Sequence, residues 1–425
     1  MTFQLTVFIF IASLSVTSQN SLDYYVSASK KNSPLIADNQ NQSKANQLEA
    51  ERLKAFYTKP QIGLTANYLF APIINLDGGT PKFEANTAGA SDYRGYDIAI
   101  SNSGQYQALL NITQPLFNAK KLQLASAQVN ITSQINQNAV RISGHDLEKV
   151  ITDQYILCLQ DYKQIDYASS MLDILTEQKK LVQKLVESSI YKQSDLSLLS
   201  LETQNFQLQL TAFNANYKRD LMDLNIMCGI NDTAFVRLSD PALSISAPVA
   251  GSMYYEKYRL DSLALVATNN TFNIKYRPQL NVFANTGLNA VYAPTILKRY
   301  GANAGLSFSY YFYDGKQKSI MKHKTDALLQ SVSAYKENFT IQNSVRKAKI
   351  LSELQSYSPR IAISEQQLSE YQTLMGLYKK EILTGQLSII NYITTLKNMA
   401  AVQRDNALLY CQKLILINAY NYWNW

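Results

Sequence analysis

Cysteine, glycine, proline and histidine are all scarce in this 425-residue chain, with 3, 15, 10 and 2 copies respectively. So little glycine and proline argues against a turn-dense all-β protein and leaves room for long helices. Three cysteines, Cys158, Cys228 and Cys411, are an odd number with no pairing pattern. They are read as small core residues rather than a disulfide framework. His145 and His323 are the only histidines, and both are read as solvated residues on helix surfaces. With no P-loop, metal-ligand pair or nucleophile elbow beside them, the expectation is a protein that is not an enzyme and carries no cofactor. Charged residues make up 17%, below the roughly 25% of soluble domains. The net charge is +8, but cations are scattered among acids and form no basic block. No nucleic-acid partner is expected.

Beyond the N-terminus there is no apolar run of 18 residues, so no transmembrane helix is expected. The opening segment "MTFQLTVFIFIASLSVTSQN" has an apolar run from Leu5 to Leu14 and small residues at Val16 and Ser18. Residues 1–18 are read as a signal peptide cleaved before Gln19. No cysteine follows to take a lipid.

What is plentiful is repetition. "KPQIGLTANYLF" at Lys59 resembles "RPQLNVFANTGL" at Arg277. "TQPLFNAKK" at Thr113 aligns with "SYYFYDGKQ" at Ser309, an offset of 196. The offset persists into a heptad seam of Ile165, Ala168, Leu172, Leu175, Lys179, Val182 and Val186. It is matched by Ile361, Ser364, Leu368, Tyr371, Met375, Tyr378 and Ile382. A constant offset over that span means an internal duplication without net insertion. The first copy is assigned residues 19–228 and the second 259–425, with a turn-rich, non-helical block at 229–258.

Each copy reads as helix, strand, loop, strand, long helix, turn, helix. Strands are expected at 61–70, 104–116, 279–290 and 301–312, all alternating with period two. Even positions are apolar, including Leu64, Tyr68, Leu110, Leu280, Val282, Leu306 and Phe308. Odd positions carry Gln61, Asn67, Gln105, Gln107, Asn111, Gln279, Asn281, Asn285, Asn303 and Ser307. Leu69, Leu109 and Phe283 are exceptions, and Tyr311 is a milder one. The rest of the chain is heptad helix whose seams are needed for pairing, so lipid is the partner expected for the even face. Strands of this length suit a tilted bilayer crossing. Four strands cannot close, and an open edge in lipid costs several kcal/mol per unsatisfied group. Three chains would give a twelve-stranded barrel with a wet lumen.

Long helices are expected at 118–187 and 316–382 without a break, each running roughly 100 Å. The return legs are expected at 196–228 and 390–420, the latter completed by residues 22–57 with Ser33 as cap and Pro34 first in its helix. The first hairpin is 22 residues longer than the second, by the change of offset from 218 to 196.

With those elements in place, the chain resembles the TolC family of outer-membrane efflux proteins. The resemblance rests on the paired Pro-Gln strand starts, the two strand-to-helix junctions, and two helix turns, "SIYKQSDLSLL" from Ser189 and "GQLSIINYITTL" from Gly385. It implies a homotrimeric channel-tunnel in the outer membrane of a Gram-negative bacterium, extending into the periplasm. A passive duct of this kind would serve tripartite efflux or type I secretion. It would dock a periplasmic adaptor at Ser189, Lys192, Asp195, Gly385 and Asn391, with an inner-membrane pump behind. Asn391 and Thr394 stand where family tunnels narrow, often on acidic side chains. A second reading is an outer-membrane-anchored coiled-coil scaffold without an open duct.

Overall fold

The computed structural model describes residues 21–85, 89–96, 104–249 and 251–425. The expected signal peptide lies outside the described residues.

Seven helices and seven strands are described: α1 (Leu22–Asn32), α2 (Pro34–Thr58), β1 (Gln61–Phe70), β2 (Ile73–Asn75), β3 (Lys82–Glu84), β4 (Tyr93–Arg94), β5 (Gly104–Leu116), α3 (Ala119–Glu187), α4 (Gln193–Cys228), α5 (Tyr255–Phe272), β6 (Gln279–Ala290), β7 (Tyr300–Ser309), α6 (Gln317–Leu383) and α7 (Ile389–Trp423). Compactness divides the chain into two units, and each takes segments from both sequence copies.

The described residues of the first unit, bounded as 1–40, 138–256 and 335–425, are helical apart from the block between α4 and α5. Its largest core joins Ala168, Leu175 and Val182 of α3 to Leu199 and Phe206 of α4, Ile382 of α6, and Tyr392 and Leu396 of α7. The heptad seam of both copies therefore feeds one core, with Leu172, Leu368, Tyr371, Met375 and Tyr378 packed against it. A second core uses Tyr25, Ile151, Tyr155, Cys158, Tyr217, Leu221, Leu224 and Cys228. All three cysteines are free and buried, and burial raises each thiol pKa. They are core residues, as their apolar neighbours in sequence suggest. The α1–α2 break falls at Ser33, whose Oγ accepts the Ile36 amide at 3.3 Å.

Pro359 lies inside α6, yet the helix continues through it. The helix expected over 316–382 thus spans a proline in its interior. An interior proline removes one helix hydrogen bond and costs about 3 kcal/mol. Packing beside it offsets that cost: Leu354 and Tyr357 are buried, and the Tyr357 hydroxyl donates to Gln412 on α7 at 3.3 Å.

The non-helical block ends at Tyr254, because α5 begins at Tyr255. Its earlier part is held by the Tyr155 hydroxyl, which donates to the Ser239 carbonyl at 2.7 Å, and its later part by side-chain amides at the end of α7 and its cap. Asn421 accepts from the Ser246 amide and donates to the Ser244 carbonyl, both at 2.8 Å. Asn424 accepts from the Val249 amide at 3.2 Å and donates to the Ala247 carbonyl at 2.8 Å. One turn earlier, Asn418 donates to the Lys149 carbonyl at 2.9 Å and to Asp153 Oδ1 at 2.8 Å.

The second unit, residues 41–137 and 257–334, carries the sheet. The order is β1-β5-β6-β7, with antiparallel neighbours throughout. β7 stops at Ser309 although the alternation runs on to Phe312. Between β1 and β5, strands β2, β3 and β4 form a small sheet of their own. Asp77 fastens it, accepting from the Ser91 amide and hydroxyl at 2.8 and 2.7 Å and from the Asp92 amide at 2.6 Å.

Candidate functional site

Two places gather the residues singled out from the sequence. The first is the four-stranded sheet. Its register pairs even positions only with even and odd only with odd, without a bulge among the paired residues. One face therefore carries Leu64 opposite Leu110, Val282 opposite Leu306, Leu280 opposite Phe308, and Tyr68 opposite Tyr106. The two tyrosine rings lie 4.9 Å apart.

The other face carries the amides. Asn111, Asn285 and Asn303 fall on one cross-strand row, as do Asn67, Gln107 and Asn289. Neighbouring strands are bridged by Asn285 to Asn303 at 3.2 Å, Gln105 to Asn289 at 3.0 Å and Asn67 to Gln107 at 3.4 Å. Asn111 donates to the Thr65 hydroxyl at 2.8 Å. Gln61 pairs with Thr113, Gln279 with Ser309, and Asn281 with Ser307.

Two exceptions to the alternation sit beside glycine. Phe283 pairs with Gly305, where a Cβ would fall 2.8 Å from the ring. Leu109 pairs with Gly287, which itself pairs with Gly301. A large side chain on this face is accommodated where the neighbouring strand has none.

The second place is the pair of helix turns, both in the helical unit. Ser189 and Gly385 adopt left-handed backbone, with φ of 58° and 70°. Each ends its helix with the same two bonds. Ser189 N–H donates to Val186 and Ile190 N–H to Leu185; Gly385 N–H donates to Ile382 and Gln386 N–H to Glu381. This is a Schellman cap made twice at an offset of 196. The turns also touch. A Cβ on Gly385 would meet Ile190 Cγ2 at 2.7 Å, and the Tyr191 hydroxyl donates to the Leu387 carbonyl at 2.6 Å.

Asp195 lies inside the first turn of α4, which begins three residues earlier than the 196 expected. Its carboxylate accepts from the Lys192 amide at 3.0 Å. It therefore reaches back to a free amide at the helix start and complements the dipole there. Lys192 is exposed. On α7, Asn391 and Thr394 are also exposed, and the Thr394 hydroxyl bonds back to Ile390 at 2.8 Å.

The histidine reading needs correction. His323 is exposed, but His145 is not a freely solvated side chain. Its ring is stacked between Tyr422 and Trp425, at 4.9 and 4.2 Å, and Nε2 lies 3.0 Å from the Tyr422 carbonyl. The signal in the sequence is the aromatic cluster "AYNYWNW" at the C-terminus.

Sequence comparison finds no matching family model and no matching curated protein. Solved structures do match. VceC, an outer membrane protein of Vibrio cholerae, superposes with a TM-score of 0.68 at 13% identity, covering 95% of both chains. The Campylobacter jejuni outer membrane channel CmeC gives 0.68 at 11%, covering 95% of this chain and 85% of its own. The open-state outer membrane channel MtrE of Neisseria gonorrhoeae gives 0.65 at 10%, covering 95% and 88%. At such identity the likeness is one of fold, and it extends over nearly the whole chain. This chain has the TolC-like fold of bacterial outer-membrane channels.

Proposed function

We propose that this chain is the outer-membrane export duct of a tripartite efflux or type I secretion system in a Gram-negative bacterium. Three copies close their sheets into a twelve-stranded barrel. The even face meets lipid and the amide face lines a water-filled lumen. The channel is passive: uncharged amides and hydroxyls offer a solute hydrogen bonds without holding it. The turns at Ser189 and Gly385, with Lys192, Asp195 and Asn391, face a periplasmic adaptor, and an inner-membrane pump supplies the energy. Asn391 and Thr394 are the candidates for the narrowest point of the tunnel.

The observation that carries this reading is the unbroken register, which sorts the strands into one apolar and one amide face. A sheet with an ordinary core needs only the first, whereas a barrel around water needs both. Arginine substitution tests it. Leu280→Arg and Leu306→Arg place a cation in lipid, at about 2–4 kcal/mol near the midplane, and should lower the yield of assembled protein in the outer membrane. Asn281→Arg and Asn303→Arg should assemble normally. The opposite ranking would reject the assignment of faces. Assembled protein that conducts no ions in a planar bilayer would favour the scaffold over the duct.

A further inference from the structure

The four long strands join their helices along one rim of the sheet. The register sets the start of β1 beside the end of β5, the end of β5 beside the start of β6, and the start of β6 beside the end of β7. Four chain segments meet this rim: residues 51–60, 117–126, 269–278 and 310–324, each reaching about two turns into the neighbouring helix. Together they hold eleven cations and two acids, Glu51 and Asp314. The segments that join the other ends of the strands, residues 71–103 and 291–299, hold four of each sign. The whole chain has a net charge of +8, so the positive excess at the first rim exceeds that of the entire protein. Along the sequence these cations are dispersed, and it is strand pairing that gathers them.

Little of that charge is neutralised within the fold. Arg52 is bound to Glu49 at 2.7 Å. Among the described residues no other cation of the rim makes an ion pair. Lys120 and Lys275 turn instead to Gln123 and Gln317, at 2.8 and 2.9 Å. Lys316, Lys318, Lys322 and Lys324 are all exposed. Lys318 and Lys322 lie one turn apart on one face of α6, a spacing at which like charges repel. Helix dipoles do not explain the pattern either. Lys54 is near the end of α2, where a cation is favoured, but Lys120 and Lys318 stand at the starts of α3 and α6, where it is not. What the four segments share is the rim, not a helix polarity. A rim that repels itself and lacks an internal counter-charge matches an external anionic surface.

We infer, given the lipid-facing even face proposed above, that this rim is a docking surface for anionic phospholipid headgroups. Phe117, Phe312 and Tyr313 are exposed at this rim, and Tyr292 and Tyr300 at the opposite one. Aromatic rings at both ends of the strands suit the two boundaries of a bilayer. Only one end adds the cations, so the sheet is polarised. Anionic headgroups are favoured in the leaflet beside the helices, and the other leaflet meets a balanced rim. Lysines reach headgroup phosphates on long, flexible stems and need no fitted pocket.

Lipid selectivity at the protein surface tests this. The full-length protein is reconstituted in phosphatidylcholine vesicles that carry a trace of spin-labelled phosphatidylglycerol or spin-labelled phosphatidylcholine. Electron spin resonance then reads the fraction of each label restricted by the protein. In low salt the wild type should hold phosphatidylglycerol about threefold more strongly than phosphatidylcholine. The preference should fade at 1 M salt, where the screening length is about 3 Å. Lys318→Gln, Lys322→Gln and Lys324→Gln combined should bring it below about twofold. Lys298→Gln with Arg299→Gln, at the opposite rim, should leave it intact. Equal restriction of both lipids by the wild type, or an undiminished preference in the triple variant, would overturn the docking surface. Loss of the preference in the opposite-rim variant would overturn it too, by moving the anionic surface to the other end. If neither lipid is restricted at all, the membrane reading itself fails and the docking surface falls with it.

Discussion

Asp161 on α3 and Asp220 on α4 are both buried, at 6% and 5% exposed. Among the described residues Asp161 Oδ2 has no hydrogen-bond partner, and Arg219 is bound to Asp220 at 2.7 Å. Burial first, and the Asp220 carboxyl second, push the Asp161 pKa up to about 7. The folded state therefore holds a proton that the unfolded state releases at the ordinary value of 3.8. This contribution is full below the unfolded value and is lost as pH rises through about 7. Denaturant midpoints should fall over that window, with a slope of up to about 1.4 kcal/mol per pH unit. Asp161→Asn should flatten the curve, and an unchanged slope would show that the proton sits elsewhere. Ser189 offers a second test at this scale. A left-handed serine costs about 1–2 kcal/mol relative to glycine, less glycine's greater chain entropy. Ser189→Gly should raise stability by about 0.5–1 kcal/mol in chemical unfolding. Gly385→Ala should lower it, since its Cβ meets Ile190. Gly385 was legible because a helix turn with glycine is a recognisable pattern. The Asp161 pair was not, because its members are 59 residues apart and neither sits in a motif.

Elements show the same division. The strands were legible because a period of two survives any tertiary detail, and the parity of the register follows from it once no bulge intervenes. Their ends were less so, because alternation at Tyr310 and Phe312 continues where pairing has stopped. The length of α6 was also legible in spite of Pro359, because a seam that packs over many turns outlasts one missing hydrogen bond. The non-helical block was legible as a turn-rich stretch between helices, but the bonds that hold it were not. What holds its last part is the pair Asn421, near the end of α7, and Asn424, its cap, which supply partners to the extended backbone of residues 244–249. Asn424→Leu should leave the Val249 amide and the Ala247 carbonyl unpaired and cost about 2–3 kcal/mol. Hydrogen exchange of residues 246–249 should speed up while α3 and α4 stay protected. Equal acceleration in those helices would make the pair part of the global fold rather than a local clamp.

At the scale of the whole molecule, duplication explains why so much could be read from one sequence. A pattern seen once is weak, but the same turn, junction and seam at a constant offset constrain each other. The offset also exposed differences, since a mismatch between copies, such as Asn118 against Asp314, stands out. What duplication does not encode is compaction: both units are assembled from parts of both copies. The detergent-extracted protein should be a trimer by light scattering. A monodisperse monomer retaining its full strand content by circular dichroism would reject closure between chains.

In the single chain β1 and β7 each have only one neighbour within the four-stranded sheet. Their outer N–H and C=O groups are templates for any strand that meets them, the intended one or another. If copies supply those partners, the law of mass action governs the fold itself. The unfolding midpoint would then climb with protein concentration. A newly made chain would meanwhile spend a lifetime, set by how often it encounters two others, with both templates on offer. Dilution would prolong that interval and overproduction would shorten it, at the risk of pairing in the wrong register.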